Sequence, residues 1–207
     1  MNSAGRVFLV DDDEALRRAT TRLLDAHGLE VHGFANAEQF LERYLPEQAG
    51  CLLLDLRLPG QSGLELQREL AARGAELPIV FLTGHADVST SVHAMKGGAI
   101  DFLEKPVREE DLIAALTRAL ERDRTRRRER SEVARVEQRF ALLTAREREV
   151  FAHIVAGHLN KQAAFALGIA ERTVKLHRSR VLEKMGATSV ADLVRMAEQL
   201  ESGRRAS

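Results

Sequence analysis

Tryptophan is absent, tyrosine occurs once, and aromatic residues make up 4% of the chain. An aromatic-walled pocket for a small molecule is therefore not expected. A single cysteine, Cys51, excludes an intramolecular disulfide and any cysteine-rich zinc or iron–sulfur site. Seven histidines are scattered without an HExxH motif, and no close pair is expected among them, so a zinc enzyme is not expected. No GxxxxGK[ST] phosphate-cradling loop occurs. No apolar run approaches the ~20 residues of a spanning helix. The opening MNSAGRVFLVDDDE reaches acidic residues after a short apolar run, unlike a signal peptide. The expectation is a soluble, cytoplasmic chain with no membrane partner.

Net charge is missing too, since 31 basic residues balance 31 acidic ones over 207 positions. The balance conceals an asymmetry. Residues 1–120 hold 12 basic and 19 acidic side chains, and residues 121–207 hold 19 basic and 12 acidic. An acidic half joined to a basic half indicates two modules with different partners.

In the first half, short apolar runs alternate with helical patterns. The runs are VFLV (7–10), LEVHGF (29–34), CLLLD (51–55), PIVFLT (78–83) and IDFLEK (100–105). Three are almost wholly apolar, as strands covered on both faces must be. Leu16, Ala19, Leu23 and Leu24 recur at helical spacing, as do Leu64, Leu66, Leu70 and Ala71, and further helices fit 37–45, 88–97 and 109–120. Five strands alternating with five helices predict an α/β domain with a doubly wound, five-stranded parallel sheet over residues 1–120.

From Glu121 to Arg130 the chain reads ERDRTRRRER, without Pro, Gly or any apolar residue. Residues 121–137 are expected to form a charged linker that continues the preceding helix. Residues 138–207 then read as an all-α, four-helix domain. Thr144-x-x-Glu147 is a capping box for a helix stopping at Gly157. Asn160 is expected to cap a short helix ending near Gly168, a longer helix covers Arg172–Met185, and Ser189-x-x-Asp192 opens the last. Helix, tight glycine-containing turn, helix is the helix-turn-helix order.

The informative positions of the first domain stand where strands end. Asp11 and Asp12 follow the first strand, Asp55 ends the third, Thr83 the fourth and Lys105 the fifth. In doubly wound sheets the ligand crevice lies at these strand ends. Three close carboxylates repel unless a cation is present, and hard oxygen donors suit Mg²⁺. A lysine and a hydroxyl nearby can hold phosphate oxygens. The chemistry implied is transfer of a phosphoryl group onto an aspartate. Asp13 is expected to cap the first helix rather than bind metal. Aspartate phosphatases of the haloacid dehalogenase type need a second Asp two residues after the nucleophile, where this chain has Arg57.

VDDD, LLLDLRLPGQSGLEL, FLTGHAD and DFLEKP occur in order at matching spacings, and residues 5–122 resemble a response-regulator receiver domain of the flavodoxin-like fold. The resemblance implies Asp55 as phospho-accepting nucleophile and Asp11 and Asp12 as the acidic pair. It implies Mg²⁺, with Mn²⁺ as its substitute, on Asp12, Asp55 and the Arg57 backbone carbonyl, Asp11 acting through water. Lys105 would pair with the phosphoryl group, and the Lys105–Pro106 bond would be cis. Thr83 would bind the phosphate and draw Phe102 inward, with a plain core role as the competing reading of Phe102. His85, two residues after Thr83, is a candidate for tuning dephosphorylation.

In RTVKLHRSRVLEKM, Val174, His177, Val181 and Met185 share one helical face, while Lys175, Leu176, Ser179 and Arg180 lie opposite. Lys and Arg can neutralise phosphates, and short polar or apolar groups can touch base edges. LTAREREVF and NKQAAFALGIAERTVKLHRSRVLEKMGATSVADLV resemble the LuxR-type DNA-binding domain over about 138–203. The resemblance implies Arg172–Met185 as recognition helix, with Lys175, Leu176 and Ser179 at base-contact positions. Lys161, Arg172, Thr173 and Arg178 would meet phosphates. Ala170 departs from the family, which usually carries a capping Ser there.

The whole arrangement resembles the FixJ-type regulators. It implies a DNA-binding response regulator of a two-component system, not an enzyme beyond gain and loss of its own phosphoryl group. The implied partners are a sensor histidine kinase, double-stranded promoter DNA and RNA polymerase. A homodimer is expected on phosphorylation or on DNA. Constitutive DNA binding, occlusion of the DNA-binding domain by the unphosphorylated receiver, and a phosphotransfer sink without DNA function remain open alternatives.

Overall fold

The computed structural model describes residues 5–84 and 88–206. The chain divides into two compact units after Arg126. In the first, the strands are β1 (Arg6–Val10), β2 (Glu30–Phe34), β3 (Cys51–Asp55), β4 (Ile79–Thr83) and β5 (Asp101–Glu104). Helices α1 (Glu14–Ala26), α2 (Ala37–Arg43), α3 (Gly63–Ala72) and α4 (Val88–Lys96) connect them, and α5 (Glu109–Ala141) follows β5. All strand pairs are parallel, in the order β2-β1-β3-β4-β5. The winding direction reverses between β1 and β3, which opens the crevice expected at that switch point.

Alternation along the strands builds two cores. Phe8, Val10, Leu52, Leu54, Ile79 and Phe81 face one way, toward Phe40, Leu66 and Ala94 of α2, α3 and α4. Val7, Leu9, Cys51, Leu53, Val80 and Leu82 face the other, toward Leu24 of α1 and Leu112, Leu116 and Ala119 of α5. Leu52, Leu53 and Leu54 are completely buried, each contributing about 1.5–3 kcal/mol of apolar burial. Two-sided burial explains why β3 and β4 lack a polar alternation.

Helix α5 runs unbroken for 33 residues. The first turn of the charged stretch still packs on the first unit. Asp123 is buried, and its Oδ2 accepts the Gly50 amide at 3.0 Å, while Arg126 pairs with Glu76 at 3.2 Å. The helical row Leu112, Leu116, Ala119 simply extends to Asp123, which satisfies an amide at the entry to β3.

The second unit contains the end of α5 and α6 (Ala145–Val155), α7 (Asn160–Leu167), α8 (Glu171–Met185) and α9 (Val190–Ala206). Val136, Val150, Phe151, Ile154, Val174, Val181, Met185 and Leu193 form its core. The Thr144–Glu147 capping box is formed, and Ser189 and Asp192 exchange reciprocal bonds before α9. One expectation is corrected. Asn160 does not cap α7; Leu159 occupies the cap position and its amide bonds Gln162 Oε1 at 2.7 Å. Gln162, three residues on, reaches back and fixes the start one residue earlier. Asn160 instead accepts from Arg178 of α8 at 3.4 Å. Among the described residues, no helix is long and apolar enough to cross a membrane.

Candidate functional site

The C-terminal ends of β1, β3, β4 and β5 bring together residues up to 94 positions apart. Asp11 and Asp55 are buried and Asp12 is exposed. Each of the three offers a carboxylate oxygen, and these atoms lie within 4.8 Å of one another. Lys105 Nζ donates to Asp11 Oδ2 at 2.7 Å and to Asp55 Oδ2 at 2.5 Å. The Lys105 amide donates to the Thr83 carbonyl at 2.6 Å, so the lysine and the fully buried Thr83 are joined by the sheet ladder. The Lys105–Pro106 peptide is cis.

Backbone donors fix the other oxygens. Asp11 Oδ1 accepts the Asp13 amide and Asp55 Oδ1 accepts the Arg57 amide, both at 2.9 Å. Asp13 caps α1 through the amides of Ala15 and Leu16, the role expected of it. Gly63, at the start of α3, permits a close approach: a Cβ there would lie 2.5 Å from the Asp55 carbonyl oxygen. The glycine of the QSG segment therefore lets the β3–α3 loop close against the acceptor strand.

The electrostatics follow from burial. Desolvation raises the Asp11 pKa, and the Lys105 hydrogen bond opposes that rise. Burial would lower the Lys105 pKa, but its bonds to Asp11 and Asp55 outweigh this and hold it above the ordinary value. With the three carboxylates ionised, Lys105 leaves the cluster two negative charges in excess. That excess and the oxygen-only donors fit a hard divalent cation. Phe102 is half-buried, its ring 6.1 Å from that of Phe81. His85 lies outside the described residues.

The second unit presents its candidates on α8 and α7. Lys161, Arg172, Lys175, Leu176 and Ser179 are exposed, and Thr173 and Arg178 are half-buried. Leu176 keeps 51% of its surface in solvent, so it is not a core residue. Lys175 pairs with Glu171 at 3.3 Å on the same exposed side. Ala170 stands at the α8 cap without a side-chain bond. Lys184 turns away from the candidate surface and meets the buried Glu147 at 2.7 Å. That bond and the Thr144 amide pull the Glu147 pKa down to about 2.

A second expectation is overturned here, because His153 and His158 do form a close pair, with Nδ1 atoms 2.8 Å apart. A separation of five residues does not align on a continuous helix. Here α6 ends at Val155 and Gly157, at φ 78°, turns the chain back. The glycine before His158 was the available signal.

Residues 7–117 match the response regulator receiver domain, and residues 141–197 match the bacterial regulatory proteins of the luxR family. The chain belongs to the response-regulator family. Nodulation protein W of Bradyrhizobium diazoefficiens is 48% identical over 94% of this chain and 86% of its own length. The transcriptional regulatory protein FixJ of Azorhizobium caulinodans is 44% identical, over 92% of this chain and 90% of its own. Among solved structures, the response regulator StyR superposes with a TM-score of 0.86 at 46% identity, covering 94% of this chain and 98% of that one. Full-length FixJ from B. japonicum gives 0.60 at 37%, covering 96% and 98%. This response regulator thus couples a parallel-sheet receiver to a helical LuxR-type domain. The receiver implies a histidine kinase partner, and the LuxR-type domain implies DNA binding.

Proposed function

We propose that this response regulator accepts a phosphoryl group on Asp55 and controls transcription through α8. The observation that carries the reading is Lys105 bridging Asp11 and Asp55 beside the buried Thr83. An Asp55 oxygen attacks phosphorus while the phosphorus–nitrogen bond of a kinase phosphohistidine breaks. Lys105 donates to the incoming phosphoryl oxygens and thereby leaves Asp55. Asp12, Asp55 and the Arg57 carbonyl would hold Mg²⁺ or Mn²⁺, with Asp11 acting through water. The cation supplies charge neutralisation for the transferring group. Thr83 receives a phosphoryl oxygen through its hydroxyl, and Phe102 moves from half-buried to buried behind it. His85 tunes the return to the unphosphorylated state.

The phosphorylated receiver favours a different α4–β5 surface, a population shift with a local electrostatic cause. The outcome is a homodimer that presents two copies of α8 to promoter DNA in the cytoplasm, within reach of RNA polymerase. Lys175, Leu176 and Ser179 read base edges, and Lys161, Arg172, Thr173 and Arg178 meet phosphates. Residues 1–120, 121–137 and 138–207 act as receiver, linker and DNA-binding domain. Incubation with acetyl phosphate and Mg²⁺, followed by peptide mapping of the acid-labile phosphoryl group, tests the chemistry. The expected location is Asp55; modification elsewhere, or none, would refute the assignment.

A further inference from the structure

Helix α6 closes with two reversed hydrogen bonds. The His158 amide donates to the His153 carbonyl at 3.0 Å, and the Gly157 amide donates to the Ile154 carbonyl at 3.0 Å. This Schellman closure sets the residue after the glycine against the residue five positions earlier. The contact it makes is frequently apolar, but here both side chains are imidazoles. Their centroids are 5.1 Å apart, with the ring planes inclined at 40°. His158 is exposed and His153 half-buried.

We propose that His153 and His158 chelate a late first-row divalent cation that favours right-angle coordination, of the Ni²⁺ or Cu²⁺ class. Two imidazole nitrogens at the usual metal distance are about 2.9 Å apart at a right angle and about 3.3 Å apart at the tetrahedral angle. The hydrogen bond of the metal-free pair sets the Nδ1 atoms 2.8 Å apart, so a widening of only ~0.1 Å reaches the former spacing. Imidazole is a donor these ions prefer, whereas the carboxylate cluster of the receiver suits harder ions. Without metal, one ring donates its Nδ1–H to the other. On binding, that ring carries its proton on Nε2 instead, so both Nδ1 lone pairs face the cation and no proton is lost. Water completes the coordination shell. The loaded pair braces the turn into α7, three residues before Lys161.

The test uses the full, untagged, ¹⁵N-labelled chain in saturating Mg²⁺, with substoichiometric Ni²⁺ as the probe. The expected result is paramagnetic broadening confined to amide signals of about residues 152–160. His153→Gln and His158→Gln, each compared with its own metal-free spectrum, are expected to lose that broadening. Ni²⁺ should also raise the unfolding midpoint of the wild type and not of His158→Gln. Broadening that persists in either variant, or that appears first around another histidine or the carboxylate cluster, would overturn the proposal.

Discussion

The two units solve opposite problems with charge. In the receiver, Asp11, Asp55 and Thr83 are buried at the ends of three separate strands. In the DNA-binding unit, Lys161, Arg172 and Lys175 stand in water on two consecutive helices. A group that must hold a cation and a phosphoryl oxygen benefits from desolvation, because charge interactions strengthen as the local dielectric falls. A group that must displace counterions from a nucleic acid has to remain accessible. The acidic surplus of one half and the basic surplus of the other are the compositional trace of that division.

Substitutions in the two units should differ in effect, with the buried site responding most strongly. Asp55→Asn is expected to abolish phosphoryl incorporation from acetyl phosphate, measured by phosphate-affinity electrophoresis, because among the described residues no other carboxylate bonds both Lys105 and the Arg57 amide. Next in size, Lys175→Ala and Leu176→Ala should each weaken binding to a specific duplex by about 1–3 kcal/mol, read by fluorescence anisotropy. The circular dichroism of either variant should stay that of the wild type, since both side chains are exposed.

Glu147, a buried and strongly perturbed acid of the DNA-binding unit, differs from the receiver carboxylates because it bonds within the fold, to Lys184 and Thr144. Glu147 has a folded pKa of about 2 against an ordinary 4.5. A depressed acid contributes stability that is full above its unfolded pKa and is lost as pH falls through the folded one. Unfolding titrations should therefore show stability declining between about pH 4.5 and 2, with that part of the slope absent in Glu147→Gln. The same substitution should cost about 1–3 kcal/mol at neutral pH by weakening the bond to Lys184. The smallest expected effect is a gain: Ala170→Ser supplies the missing α8 cap and should add about 0.5–1 kcal/mol, checked by the shift in chemical denaturation midpoint.

Much of this architecture is legible in the sequence. The apolar runs of β3 and β4 declare two-sided burial, and the strand-end positions of Asp11, Asp55, Thr83 and Lys105 follow from the alternation of elements. The absence of Pro and Gly from 121–130 foretold a continuous α5. What escaped depended on where the chain turns or which way a long side chain reaches. Asn160 looked like a cap until Gln162 bonded the Leu159 amide. The ion pair of Lys184 with the buried Glu147 also had no local signal, because it joins residues 37 positions apart. His153 and His158 meet only because a left-handed glycine reverses the helix end.

Charge placed on Asp55 is proposed to govern DNA engagement by α8. The most direct measurement is the affinity of the full chain for a duplex selected from a random pool, with and without acetyl phosphate and Mg²⁺ at fixed salt. A gain of about tenfold or more, equivalent to about 1.4 kcal/mol, is expected and should disappear in Asp55→Asn. Equal affinity for the phosphorylated and unphosphorylated chain would contradict it.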